Sequence, residues 1–337
     1  MKRPELLTVV AAVAVAAVIE LLISIGVINP YWELIVQYAC IVTIASLGLN
    51  IIYGLNGQFS LGHIAFYGLG AYASALITKE WTGDNPFGFL GAIVIGGVVA
   101  AAVAFLIGLP ILRLTSDYLG IATLGFGFIV KVFFDNADQF IPAMGGARGM
   151  TAIPKLTSWP WVAAITILAV ILMRNFAYSS PGRATLSIRE DEIAAKAMGV
   201  NTTKYKTIAF VLGCAYAGVA GALYAHLYAF LHPSNFDFVQ SINLLLIVVL
   251  GGLGSMSGTI IAAIGWTFLL EGLRVILPSE VLDLRYVIYP LLLIGVMLMR
   301  PKGLFGGTEL PFLRGPKVPK KVSKIEEMPQ SAVTESR

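Results

Sequence analysis

The sequence predicts an all-α fold: a polytopic transmembrane helical bundle of about ten membrane segments, with two glycine-interrupted hairpins. Three observations carry this. Hydrophobic residues make up 57% of the 337 positions and charged residues 12%, with a mean hydropathy of +0.82, whereas a soluble domain carries about 25% charged residues. The apolar residues gather in long runs near the length of about 20 residues that crosses a bilayer. These runs lack the two-residue alternation of a barrel, so helices must satisfy the backbone in lipid.

The runs fall near 6–28, 34–53, 64–79, 88–112, 117–134, 158–177, 207–230, 239–253, 258–277 and 284–300. The first follows Lys2 and Arg3 and is longer than the 7–15-residue apolar core of a signal peptide, so it reads as an uncleaved helix starting inside. Ten spans put both termini on one side. The termini, Arg113, the stretch 174–206 and the tail hold 17 of the 23 Lys and Arg, which makes that side cytoplasmic by the positive-inside rule. The expected division is a permease domain over 1–306, with a cytoplasmic loop at 178–206, followed by a disordered basic tail over 307–337. Pro311, Pro316, Pro319 and Pro329 with Arg314, Lys317, Lys320, Lys321 and Lys324 give the tail its character and suit it to an anionic leaflet.

Small residues recur at helix-packing spacing. Gly96, Ala100, Ala104 and Gly108 form one ladder; Gly213, Ala217 and Gly221 form another, beside Cys214, Gly218 and Ala222. Each allows close approach of a second backbone where lipid supplies no hydrophobic drive, and the expected contacts lie within this chain. Cys40 and Cys214 have no metal-binding spacing and read as small packing residues.

The stretch "GLNGQFSLGHIAFYGLGAY", residues 54–72, breaks the apolar pattern with five glycines and four polar side chains. Shifted by 197 positions, Gly54, Gly57, Ser60, Ala65 and Gly68 fall on Gly251, Gly254, Ser257, Ala262 and Gly265. Paired glycine interruptions in two halves point to a translocation path, because unwound backbone is tolerated at membrane depth only where protein or water covers it. The pathway candidates are therefore Gly54, Asn56, Gly57, Gln58, Ser60, His63, Gly251, Gly254, Ser255 and Ser257, whose polar groups suit passage better than tight capture.

The longest inner connection, "SSPGRATLSIREDEIAAKAMGVNTTKYKTIAF", covers 179–210. Arg189 to Met198 is expected to form one short helix, with Glu190, Asp191 and Glu192 complementing its N-terminal end and Gly199 as a left-handed cap. Ile193, Ala194, Ala197 and Met198 make a small apolar stripe. Such a helix either rests on lipid headgroups or docks into a soluble partner, and charged ends around a small apolar middle favour docking.

Other chemistry is excluded by absence. No Gly is followed by Lys, so no phosphate-cradling Walker loop exists, and no HExxH, GxSxG or paired membrane carboxylates occur. This chain is expected to be no enzyme and to hold no cofactor or metal, any ATP and Mg being used by partners. No nucleic-acid partner is expected. The rival class is an ion-coupled secondary transporter or a channel, for which Glu20, His63, His226 and Glu271 are the ionisable candidates at depth. A single imidazole at His63, replaced by Ile260 in the second copy, does not make a proton relay.

The segments "GQFSLGHIAFYGLGAY", "REDEIAAKAMGVNTTKYKTIAF", "AGVAGALYAH" and "VVLGGLGSMSGTIIAA" together resemble the LivM-type permeases of branched-chain amino-acid ABC importers, from about residue 35 to 306. The resemblance implies a second, related permease, two ATP-binding subunits inside and an extracytoplasmic substrate-binding protein, in a bacterial-type inner membrane. Within it, Glu192, Ala194, Ala195 and Gly199 resemble the glutamate-alanine-alanine-glycine loop that engages the ATPases, with Ile193 inserted, and Arg189, Glu190 and Asp191 adjoin it. The implied mechanism is alternating access with selectivity largely in the binding protein. The urea and amide branch of the same family stays open as an alternative.

Overall fold

The computed structural model describes residues 3–83, 85–112 and 116–276, with 291, 294, 295, 298–300, 303–306, 309, 310 and 313, and the side chains among them except those of 3–12, 116, 117 and 276. The expected span at 284–300 lies largely outside the described residues, as does most of the tail.

Helices stand at the other nine expected places: α1 (Arg3–Ser24), α2 (Pro30–Leu49), α3 (His63–Ile77), α4 (Pro86–Ile111), α5 (Ser116–Asp135), α6 (Trp159–Tyr178), α9 (Thr202–Tyr228), α10 (Phe238–Gly251) and α11 (Met256–Ile276). Two short helices, α7 (Ser180–Glu190) and α8 (Glu192–Ala197), form the inner connection. Among the described residues six helices are long and apolar enough to cross a membrane. Among the described residues no strand forms; Met150 and Leu231 make a single antiparallel bridge.

Local chemistry sets the helix starts. Asn29, Asn85, Ser179, Asn201 and Asp237 each cap a helix through a side-chain oxygen that accepts a backbone N–H, satisfying a donor the helix leaves orphaned. Pro30, Pro86 and Pro181 occupy first-turn positions where a missing N–H costs nothing.

Helix α9 is the axis of the bundle, with α2, α3 and α4 packed on it. The small-residue ladders make that contact within the chain. A Cβ at Gly70 would lie 2.1 Å from the Gly218 carbonyl oxygen, one at Gly221 1.9 Å from that of Tyr67, and one at Gly96 2.8 Å from that of Gly70. Backbones therefore touch where any side chain would separate them. Cys214 is fully buried in this core.

The outward surface is apolar instead of polar. Leu106, Ile121, Ile129 and Val98 are all more than half exposed, an apolar surface that a soluble monomer does not present at this scale and that lipid solvates. At one end of the bundle lie α7, α8 and the turns joining α2 to α3 and α10 to α11; residues 136–158 and 229–237 close the other.

Candidate functional site

The site is the junction of the two glycine turns with the inner connection. Helix α2 widens into a π-helical segment, Asn50–Leu55, and the chain then reverses through Gly57 at φ +71°. The counterpart after α10 reverses through Gly252 at φ +104° and Gly254 at φ +82°. Left-handed backbone at both Gly57 and Gly254 explains the repeated glycine, since a Cβ is disfavoured there.

The two turns meet. A Cβ on Gly54 would sit 2.5 Å from the Gly254 nitrogen and 1.7 Å from Asn50 Oδ1. Asn50 fixes the junction: Oδ1 accepts from the Gly254 N–H at 2.9 Å, and Nδ2 donates to the Ser255 carbonyl at 3.1 Å and to Thr259 Oγ1 at 2.9 Å. Its side chain is wholly buried. The repeat pattern passed over Asn50 because the aligned position, Ile247, is apolar.

Arg189 enters from α7. Its Nη1 donates to the Gly54 carbonyl, and Gly57 and Gly254 leave the room for its side chain, a Cβ at either coming within 2.8 Å and 2.9 Å of the arginine. The guanidinium also pairs with Glu190 at 2.7 Å. The inner connection is thereby seated on both glycine turns.

The expected single helix from Arg189 to Met198 is instead two. Asp191 is extended, at φ −158° and ψ 109°, and its carboxylate accepts from the N–H groups of Ile193 and Ala194 at 2.8 Å and 3.0 Å. Asp191 is thus the cap of α8, while Arg189 and Glu190 close α7. Gly199 is left-handed, at φ +83°, and Val200 N–H reaches the Ala195 carbonyl at 3.0 Å, the closing bond of a Schellman cap. Ala195 is buried at 5% exposure, while Ile193 and Met198 are exposed at 81% and 83%. Ala195 seats α8 and its neighbours present the apolar stripe.

Glu192 ties α8 to α9 through Lys206 at 2.6 Å and accepts Lys196 at 2.9 Å. Partial burial acts to raise its carboxyl, but the hydrogen bonds and charges of Lys206 and Lys196 prevail and hold it below the ordinary carboxylate range.

The remaining pathway candidates are buried. Both amide atoms of Asn56, Gln58 Oε1 and Ser60 Oγ have no hydrogen-bond partner, and an unpaired buried polar atom costs about 1–3 kcal/mol. His63 opens α3 and donates from Nε2 to the Ala45 carbonyl at 3.1 Å, with Nδ1 unpartnered. Gly251 packs on Gly258 and Thr259. Ser255 Oγ accepts the Gly258 N–H at 3.1 Å. Ser257 donates to Glu309, whose carboxylate also accepts the Met256 N–H and so caps α11. Of the ionisable rivals, His226 accepts from Thr78 at Nε2 and donates to the Ala222 carbonyl at Nδ1, Glu271 lies 3.6 Å from Arg274, and Glu20 is exposed. Among the described residues no cluster suits a metal.

An apolar-surfaced helical bundle with a buried polar junction at one end is a multi-pass membrane protein of the permease class. Residues 31–298 match the family described as branched-chain amino acid transport system / permease component, and the chain belongs to that family. It is similar to the high-affinity branched-chain amino acid transport system permease protein LivM of Salmonella typhimurium, 34% identical across 77% of this chain and 67% of that protein. LivM of Escherichia coli is 33% identical across 88% and 74%, and the permease LivH of Escherichia coli is 28% identical across 79% and 91%. No solved structure matches.

Proposed function

We propose that this chain is the membrane-spanning permease subunit of an ATP-driven importer for branched-chain or other neutral amino acids. It crosses the inner membrane about ten times with both termini in the cytoplasm. A second permease of LivH type completes the pathway, two ATP-binding subunits hydrolyse ATP with Mg, and an extracytoplasmic binding protein delivers substrate.

The single observation that carries this reading is the seat of Arg189 on Gly54, Gly57 and Gly254. It joins the connection whose exposed Ile193 and Met198 face a partner to the turns that interrupt two membrane helices. Movement of the ATPases shifts α8; Glu192 carries the shift to α9 and α7 carries it to the turns. ATP thus biases two global states. The unpaired Asn56, Gln58 and Ser60 favour rearrangement of the closed junction, since another state can give them partners.

The ion-coupled alternative gains little support, because His63 donates to a backbone carbonyl with no ionisable neighbour in its hydrogen bonds. The test is reconstitution with the ATPases, the second permease and the binding protein. Leucine uptake should follow ATP and survive a proton uncoupler; uptake that runs on an ion gradient without ATP overturns the proposal.

A further inference from the structure

A cavity of about 90 Å³ lies between α2, α3, α9, α10 and α11, on the side of the glycine junction away from α7 and α8. Ala45, Ile64 and Ile247 line its deeper part, and no residue of either glycine turn borders it. Asn235 and the exposed Gln240 mark its mouth at the opposite end of the bundle. The closed junction therefore stands between this cavity and the ATPase-facing loop.

The lining has two characters. Tyr38, Tyr67 and Tyr224 form a ring cluster, with centroids 6.1 Å apart for Tyr38 and Tyr224 and 5.6 Å for Tyr67 and Tyr224. Asn243 Nδ2 is engaged by Gln240 Oε1 at 3.1 Å, which leaves Asn243 Oδ1 as an acceptor and Gln240 Nε2 as a donor. Thr267 donates to the Ala263 carbonyl at 2.9 Å, so its oxygen has lone pairs left for a cation. The remaining wall is apolar: Val42, Ala45, Ile64, Leu244, Ile247 and Leu270 with the indole of Trp266.

We propose that this cavity is a transient substrate site for a zwitterionic amino acid with an aliphatic side chain, an inference that rests on the importer reading above. No Asp, Glu, Lys, Arg or His lines the cavity, so a ligand with net charge would be buried without a counter-ion, which is costly. A zwitterion brings its own balance. Tyrosine hydroxyls and the Gln240 amide donate to its carboxylate, while Asn243 and Thr267 oxygens accept from its ammonium. Size agrees: a cavity of about 90 Å³ suits a small solute such as valine or leucine. This permease then contributes to selectivity instead of leaving it wholly to the binding protein.

The test uses the assembled transporter in vesicles, with labelled leucine and saturating binding protein. The double variant Tyr67→Phe with Tyr224→Phe keeps the rings and removes two donors, and leucine moved per ATP hydrolysed should fall about tenfold. In a second arm, Ile247→Cys is labelled with a small maleimide, the parent chain measuring background from Cys40 and Cys214. Excess leucine should slow labelling, and equal lysine or glutamate should not. Wild-type transport by the double Phe variant, or labelling that leucine leaves unchanged, overturns the site. Absence of ATP-driven uptake in the unaltered complex instead overturns the importer reading itself.

Discussion

Asn50 and Gly254 are hydrogen-bonded at 2.9 Å although 204 positions separate them. The bond joins a fully buried side chain to a part-buried backbone, and the same amide holds Ser255 and Thr259. One residue thus fastens the end of α2 to the start of α11 at the point where both chains are interrupted.

Replacing Asn50 with leucine keeps the volume near its native value but leaves the Gly254 N–H and Ser255 carbonyl without this partner. An orphaned backbone N–H costs about 1–3 kcal/mol, while the Ser255 carbonyl keeps the Thr259 N–H and Oγ1 as donors. The purified protein should melt at a lower temperature than wild type, and Asn50→Asp, which cannot donate from Nδ2, should also be destabilised. A melting temperature unchanged in Asn50→Leu would show that the staple contributes no stability.

The glycines differ in what they exclude, so their substitutions should rank. Gly54→Ala places a methyl group 1.7 Å from Asn50 Oδ1 and should be severe. Gly57→Val and Gly254→Val impose a β-branched residue at positive φ, a strain of order 1–3 kcal/mol, and crowd Arg189. Uptake per assembled complex should fall in all three. Gly265→Ala, with open space around its new methyl, should transport like wild type, and Gly108→Ala, 3.2 Å from Phe210, should be mild.

Glu192 gives a pH test with a defined sign. Its folded carboxyl titrates below the unfolded value of about 4.3, so the ionised, Lys206-bound form stabilises α8 above that value. The contribution disappears as pH falls through the lower, folded value. The stability gap between wild type and Glu192→Gln should therefore be full at neutral pH and close in acid. A gap independent of pH would remove the ion pair from the account.

Much of this architecture was legible in the sequence because lipid imposes long uniform runs, and the small-residue ladders announce backbone contact. The repeat pairs Gly57 with Gly254, and both prove to be left-handed. The repeat is nonetheless local: Gly68 packs on Phe134 and Phe236, while its counterpart Gly265 faces open space. Asn50 escaped notice because a single polar residue at the end of an apolar run has no periodic signature, and its partners lie over 200 positions away. Arg189 adjoins the ATPase-like loop in the sequence; its reach to Gly54 is a contact across 135 positions, which a helical stripe of Ile193, Ala194, Ala197 and Met198 does not reveal. Glu309 fell in a tail read from its prolines and lysines, although its carboxylate caps α11.

Whether Arg189 links the ATPase-facing connection to the glycine junction is decided by Arg189→Gln in the fully reconstituted complex, with leucine uptake and ATP hydrolysis recorded in the same vesicles. Glutamine is too short to hold the Gly54 carbonyl from the α7 backbone and carries no charge. ATP should be hydrolysed while uptake falls at least about tenfold, the size expected for loss of one charge-assisted hydrogen bond, with Arg189→Lys retaining part of the coupling. Uptake per ATP equal to wild type in Arg189→Gln would contradict such a link.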